Sequence, residues 1–171
     1  MKLSTSAAEL LAQLQSVSRV ASTRSAVQAL SGVQLAATSA GVELRATDME
    51  MALRVPLTAE VVREGTVVLP ARLLLDVARS LPKTAERVEL ELRPEQQDVE
   101  VVAAHAKFHL RTLRADDFPP LPEPGGDTVV DVPAAAFVET IEKVSKSASR
   151  DETRPILTGI LVSASAEELR M

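Results

Sequence analysis

One unit recurs three times along this chain, and a chain built that way has few folds open to it. Each copy reads as a short strand, a Ser-Ala or Pro-Ala start signal, and an amphipathic helix that ends in a basic residue. The apolar anchors are Leu10/Leu14/Val17, Leu74/Ala78/Leu81 and Phe137/Ile141/Val144, each set spaced at +4 and +7. That spacing keeps one apolar stripe on one helix face. Nine residues after each first anchor stands a cation: Arg19, Lys83 and Lys146. At ~100° per residue, nine steps end roughly opposite the anchors, so each cation is expected to point away from what its helix covers.

Between the helices the pattern has a period of two. Val42, Leu44 and Ala46 alternate with Glu43, Arg45 and Thr47, and Val88, Leu90 and Leu92 alternate with Glu89, Glu91 and Arg93. Val99 and Val101 flank Glu100, while Phe108 and Leu110 flank His109. One face of each strand is therefore wet, as in antiparallel sheets covered on one side. The order predicts an α+β fold of repeated βαβββ units, residues 1–57 and 65–113, together forming a first domain over 1–120. Residues 114–127 carry four prolines and two glycines and are expected to be an extended linker. Beyond it the start of the chain returns: at a constant offset of 127, residues 6–35 meet 133–162 without a gap. Ala7/Ala134, Val17/Val144, Ser22/Ser149, Leu30/Leu157 and Gly32/Gly159 are among eight identical pairs. Residues 128–171 thus read as the start of a second, similar domain, cut short.

Composition narrows the function classes. Aromatics are 2% and cysteine is absent, so the core is aliphatic and disulfides, thiolate metal sites and a Cys nucleophile are excluded. A chain without cysteine fits the cytoplasm. No apolar run approaches the ~20 residues that a bilayer span needs. The net charge is −5, yet the segments 6–24, 70–83 and 133–154 hold nine Lys/Arg against six Asp/Glu. Positive charge gathers on the helical segments and negative charge on the strands. A module that repeats a positive outer face suits an extended anionic partner, of which DNA is the obvious example.

Four further stretches occur in a telling order: Ala46-Thr47-Asp48-Met49-Glu50-Met51, Leu69-Pro70-Ala71-Arg72, Phe108-His109-Leu110 and Ala115-Asp116-Asp117-Phe118-Pro119. Together they resemble the bacterial sliding clamp, the beta subunit of DNA polymerase III, along the whole chain. The resemblance implies a non-enzymatic processivity factor: a head-to-tail homodimeric ring of three similar domains per subunit, with helices lining the hole and sheets outside. It implies double-stranded DNA, a second clamp subunit, the replicative polymerase and a clamp loader as partners, and no cofactor. A non-catalytic protein-interaction module, or a regulatory fragment that does not encircle DNA, stays open as the alternative.

The expected DNA-facing cations are Arg19, Arg24, Arg72, Arg79, Lys83, Lys143, Lys146, Arg150 and Arg154. Of these, Arg24, Arg72 and Arg154 match positions that the family associates with DNA contact. The second helix carries Leu73 and Val77 where its siblings have Glu9/Gln13 and Ala136/Thr140, a second apolar stripe. With the strand holding Phe108 and Leu110, the family's subunit-contact edge, this gives Leu73, Val77, Leu81, Phe108 and Leu110 as the expected ring-closing surface. Arg154 and Leu157 match the rim of the family's client-binding pocket, most of whose wall would lie beyond Met171. Asp48/Glu50 and His105/His109 are weighed as metal ligands and set aside: no third ligand accompanies the first pair, and the second sits in an alternating strand without the Glu of a helical zinc motif.

Overall fold

The computed structural model describes residues 1–22, 25–122, 125, 130–165 and 168–171. The chain divides into two units, Met1–Pro122 and Glu123–Met171.

In the first unit, β1 (Lys2–Ser6) leads directly into α1 (Ala7–Val17), where the Ser6 hydroxyl accepts from the Glu9 amide at 3.4 Å. Three strands follow: β2 (Gly32–Thr38), β3 (Gly41–Thr47) and β4 (Ala52–Leu57). Next come β5 (Ala59–Arg63), β6 (Gly65–Pro70), α2 (Ala71–Ser80), β7 (Arg87–Arg93), β8 (Asp98–Ala103) and β9 (Ala106–Arg111). The strands form two antiparallel sheets, ordered β5-β1-β7-β8-β9 and β4-β3-β2-β6.

This order shows how the two βαβββ units combine. Each unit gives its first strand to the other's sheet: β1 lies beside β7, and β6 lies beside β2. The exchange welds the repeats 1–57 and 65–113 into one body with one core. Strand β5 falls between the two expected units and pairs with β1, whose inner residues Leu3 and Thr5 are buried. A strand so enclosed has backbone groups on both edges to satisfy, and β7 satisfies only one edge.

The core is aliphatic. Leu10, Leu14 and Val17 of α1 and Leu74, Val77 and Ala78 of α2 meet the inward residues of both sheets, among them Val33, Leu44, Leu69, Leu90 and Val101. The helices also pack against each other, with α1 on β3 and β4 and α2 on β2, β6 and β9. Their wet faces thus lie on the side of this unit away from its sheets.

The helices are shorter than the nine-step argument requires. α1 stops at Val17 and α2 at Ser80, so Arg19 and Lys83 stand in the turns that follow. Leu81 is extended (φ −59°, ψ 143°), as the residue before Pro82 must be. All three cations are exposed, but turns rather than helical rotation carry them there.

A second, small apolar cluster lies on the other face of the β4-β3-β2-β6 sheet. Ala29, Val68 and Phe118 are buried in it, with Leu113 and Leu121 packed alongside. Leu113 bridges to Val68, and its amide donates to the Val68 carbonyl at 2.8 Å. The first part of the expected linker 114–127 is therefore folded onto the first unit up to Pro122.

The second unit holds α3 (Ala134–Val144), offset by 127 from α1 at both ends. The repeat extends to hydrogen bonds. The Ser22 amide donates to the Leu30 carbonyl at 2.8 Å, and the Ser149 amide to the Leu157 carbonyl at 2.8 Å. A 3-10 turn follows in each copy, Gln28–Ser31 and Pro155–Leu157. Two short strands, β10 (Ser163–Ala164) and β11 (Leu169–Arg170), pair with each other. The strand expected before α3 does not form at residues 130–133. Its counterpart β1 is held by β5 and β7, and the described residues of this unit contain no equivalent of those two strands. Phe137 is exposed, and Ile141 and Val144 are only half-buried, because their counterparts on α1 are covered by β4 and α2, which have no equivalent among the described residues of this unit.

Candidate nucleic-acid interface

Arg72 is the second residue of α2 and Arg79 stands in its last turn, both exposed. Arg79 lies 3.5 Å from Asp76 one turn back, an ion pair open to water and worth little. Arg72 forms no ion pair among the described residues. A cation in the first turn of a helix opposes the macrodipole, whereas Arg79 at the other end is favoured by it. Arg72 thus carries a positive charge that has no ion-pair partner among the described residues of this unit. Arg19 and Lys83 are exposed in the turns after α1 and α2.

In the second unit, Lys143 is paired with Glu139 at 2.6 Å across one helical turn. Lys146 stands in the 3-10 turn Ser145–Ser147. Arg150 and Arg154 flank a turn organised by Asp151, whose carboxylate accepts from the Thr153 amide (3.0 Å) and hydroxyl (2.7 Å). Those bonds hold the Asp151 carboxyl below the usual carboxylate range. Arg24 lies outside the described residues. Of the expected cations that are described, only Arg72, Arg79 and Lys143 sit within an α-helix.

The apolar set separates. Leu73 is 48% exposed, and Leu81 and Phe108 are half-buried at the margin of the core. Val77 and Leu110 are buried in the core, which corrects their assignment to a contact surface. Val77 follows Leu74 by three residues and precedes Leu81 by four, so helical geometry places it on the core stripe. Leu110 shares the inward face of its strand with Phe108, and only Phe108, nearer the turn, stays partly open. Strand β9 forms one edge of its sheet, with α2 packed beside it. Leu157 is half exposed, and its amide donates to the Arg154 carbonyl at 2.9 Å, so the two expected rim residues belong to one turn.

The opposite face of the β5-β1-β7-β8-β9 sheet carries a charge network that alternation does not reveal. Arg93 donates to Asp98 through Nε (2.8 Å) and Nη2 (2.7 Å), and its Nη1 lies 3.3 Å from Glu100. His109 Nδ1 lies 2.6 Å from Arg93 Nη2. Lys2 and Arg63 share Glu91 at 2.9 and 3.1 Å, and Arg87 reaches Glu60 at 3.1 Å. The bond from Arg93 holds Asp98 below the ordinary carboxylate range, and Lys2 does the same for Glu91. Lys2 faces Glu91 and Arg93 faces Asp98 on neighbouring strands, whereas Arg63–Glu91, Arg87–Glu60 and Arg93–His109 reach across an intervening strand, which only the tertiary register reveals.

The candidate metal pairs have structural partners. The Asp48 carboxylate accepts from the Glu50 (3.0 Å) and Met51 (2.7 Å) amides and closes a turn in which Met49 takes φ +80°. Among the described residues no group of three or more potential ligands could hold an ion.

The family described as DNA polymerase III beta subunit, N-terminal domain, matches residues 1–122, the stretch that forms the first unit. The chain belongs to that family. Among curated relatives, the beta sliding clamp of Micrococcus luteus is 37% identical over 145 residues, covering 84% of this chain and 45% of the relative. That of Streptomyces coelicolor is 32% identical over 142 residues, covering 83% and 36%. The solved sliding clamp of Bacillus subtilis superposes with a TM-score of 0.90 at 26% identity, covering 99% of this chain and 46% of that one. The Pseudomonas aeruginosa beta subunit bound to griselimycin gives 0.82 at 29%, covering 95% and 43%. This beta-subunit chain therefore has the clamp fold and spans under half the length of the relatives it matches.

Proposed function

We propose that the protein to which this beta-subunit chain corresponds is a sliding clamp, a non-catalytic ring that encircles duplex DNA and tethers the replicative polymerase. What carries the reading is the family match over residues 1–122 together with the charge of Arg72, unpaired among the described residues, on the sheet-free side of that unit.

A clamp must stay on DNA and yet not grip it. Strong phosphate neutralisation would oppose each step and make retention depend steeply on salt. Enclosure removes the need for affinity, so a few long, solvated cations suffice as a soft guide. Arg19, Arg72, Arg79 and Lys83 in the first unit, and Lys143, Lys146, Arg150 and Arg154 in the second, are the guides in this reading. Glu60, Glu91, Asp98 and Glu100 on the opposite sheet face are already matched by cations, so that face offers DNA no second bed. The edge formed by Leu73, Leu81 and Phe108 is the proposed contact with a second subunit, head to tail. Arg154 and Leu157 belong to the rim of the client pocket, and a clamp loader opens the ring in the cytoplasm. Among the described residues no helix is long and apolar enough to cross a membrane.

The complete protein, loaded by its loader, should remain on circular duplex and run off linear duplex. Equal retention on both would mean adhesion and overturn the reading. In a separate equilibrium binding titration at varied salt, Arg72→Glu should weaken association with DNA and reduce its salt slope by about one ion, without loss of thermal stability.

A further inference from the structure

Residues 113–122 cross the outer face of the β4-β3-β2-β6 sheet. The cross-strand row beneath them is Val68, Gln34, Arg45 and Arg54, one residue from each strand in the order β6, β2, β3, β4. At one end Leu113 is bridged to Val68. At the other, Arg54 Nη2 donates to the Leu121 carbonyl at 3.2 Å and lies 3.4 Å from the Pro122 carbonyl. The segment spans all four strands, about 14 Å at the usual strand spacing.

We propose that 113–122 is a transverse strap, docked by Phe118 and Arg54, that fixes where the chain leaves the first unit. Three features of the sheet are built for it. At the β6 end its outer face is apolar where alternation would leave it wet: Val68 of the sheet and Ala29 of the turn Gln28–Ser31 are buried there, and Phe118 packs against them at 8% exposure. Gly32 supplies the room, since a Cβ on it would meet Val68 Cγ1 at 2.5 Å and Leu113 Cδ1 at 2.9 Å. Arg45 and Arg54 face each other across β3 and β4, an unfavourable like-charge pair. Glu43 takes Arg45 at 2.7 Å, and Arg54 reaches the strap carbonyls.

The strap has few bonds of its own. The Asp117 and Phe118 amides donate to the Arg114 and Ala115 carbonyls at 3.4 and 3.1 Å within the turn Ala115–Asp117. Its order is therefore borrowed from the sheet. The Pro-rich connection to the next unit accordingly starts at the β4 edge, after Pro122, and not at Arg114. None of this depends on what the whole protein binds.

Hydrogen exchange on the 171-residue chain, with trypsin cleavage after the exposed Arg114, tests the strap. Wild-type amides of Leu113, Asp117 and Phe118 should exchange far more slowly than a free peptide, and cleavage after Arg114 should be slow. Phe118→Ala should raise both rates about tenfold or more while the amides of β2 and β3 keep their protection. Arg54→Ala should lower the heteronuclear NOE of the Leu121 amide and leave Phe118 protected. Peptide-like exchange in the wild type would overturn the proposal. So would a Phe118→Ala variant cleaved at the wild-type rate, or one that loses protection evenly throughout the first unit. An unchanged Leu121 amide in Arg54→Ala would remove Arg54 from the anchor.

Discussion

Leu73 and Leu74 are neighbours in sequence with opposite fates, and the difference is a turn of about 100° around one helix. Leu74 is fully buried against both sheets, while Leu73 is half exposed. Leu74→Ala should cost about 2–5 kcal/mol in urea unfolding through the cavity it leaves, whereas Leu73→Ala should stay within about 0.5 kcal/mol. A large loss in Leu73→Ala would place it in the core after all. The Arg93–Asp98 pair makes a different prediction. Its bond depresses the Asp98 pKa in the folded state, so the stability it adds is present above the unfolded carboxylate pKa. That contribution is lost as pH falls through the depressed folded value. The urea midpoint of Asp98→Asn should therefore lie below that of the wild type near neutrality, and the gap should close as pH falls below about 4. A gap that is constant with pH would mean that packing, not charge, accounts for the loss.

Elements repeat in this chain more faithfully than their surroundings do. α1 and α3 begin and end 127 residues apart, and the Ser22–Leu30 and Ser149–Leu157 hydrogen bonds match in length. These features are local, set by capping, turn chemistry and helical periodicity, and they survive wherever the segment is placed. Burial does not survive in the same way. Gly32 is packed under Val68 and Leu113, while a Cβ on its counterpart Gly159 would meet nothing within 4 Å. Gly32→Ala should destabilise the first unit by roughly 1–3 kcal/mol through overpacking, and Gly159→Ala should be nearly neutral. Thermal melts of the two variants decide it; equal effects would mean that the two glycines share an environment.

At the scale of the molecule, the first unit owns its core, its two sheets and the strap that closes them. A fragment of residues 1–122 should therefore unfold cooperatively, with a midpoint within a few degrees of the main transition of the full chain, as followed by circular dichroism. A fragment that is unfolded at room temperature would show that residues after Pro122 hold it together. Much of this molecule was legible from its residues. The 127-residue offset, the alternation of Val42–Ala46 and Val88–Leu92, and the anchors of α1 and α2 each depend on nearest neighbours along the chain, which a sequence states outright. Arg72 and Arg79 were legible as exposed for the same reason. Strand exchange was not, because β1 meets β7 across more than eighty residues, and alternation says which face is buried but not who the neighbour is. Nor was the docking of Phe118, which sits in a stretch whose four prolines signal only extension, whereas the burial of Val77 and Leu110 was already marked by helical spacing and strand alternation. The sequence by itself determined the elements and their apolar faces, because those follow from local geometry. Only the tertiary structure decided which strands pair and which apolar residues are left open, because long-range pairing is settled by competition for a shared core.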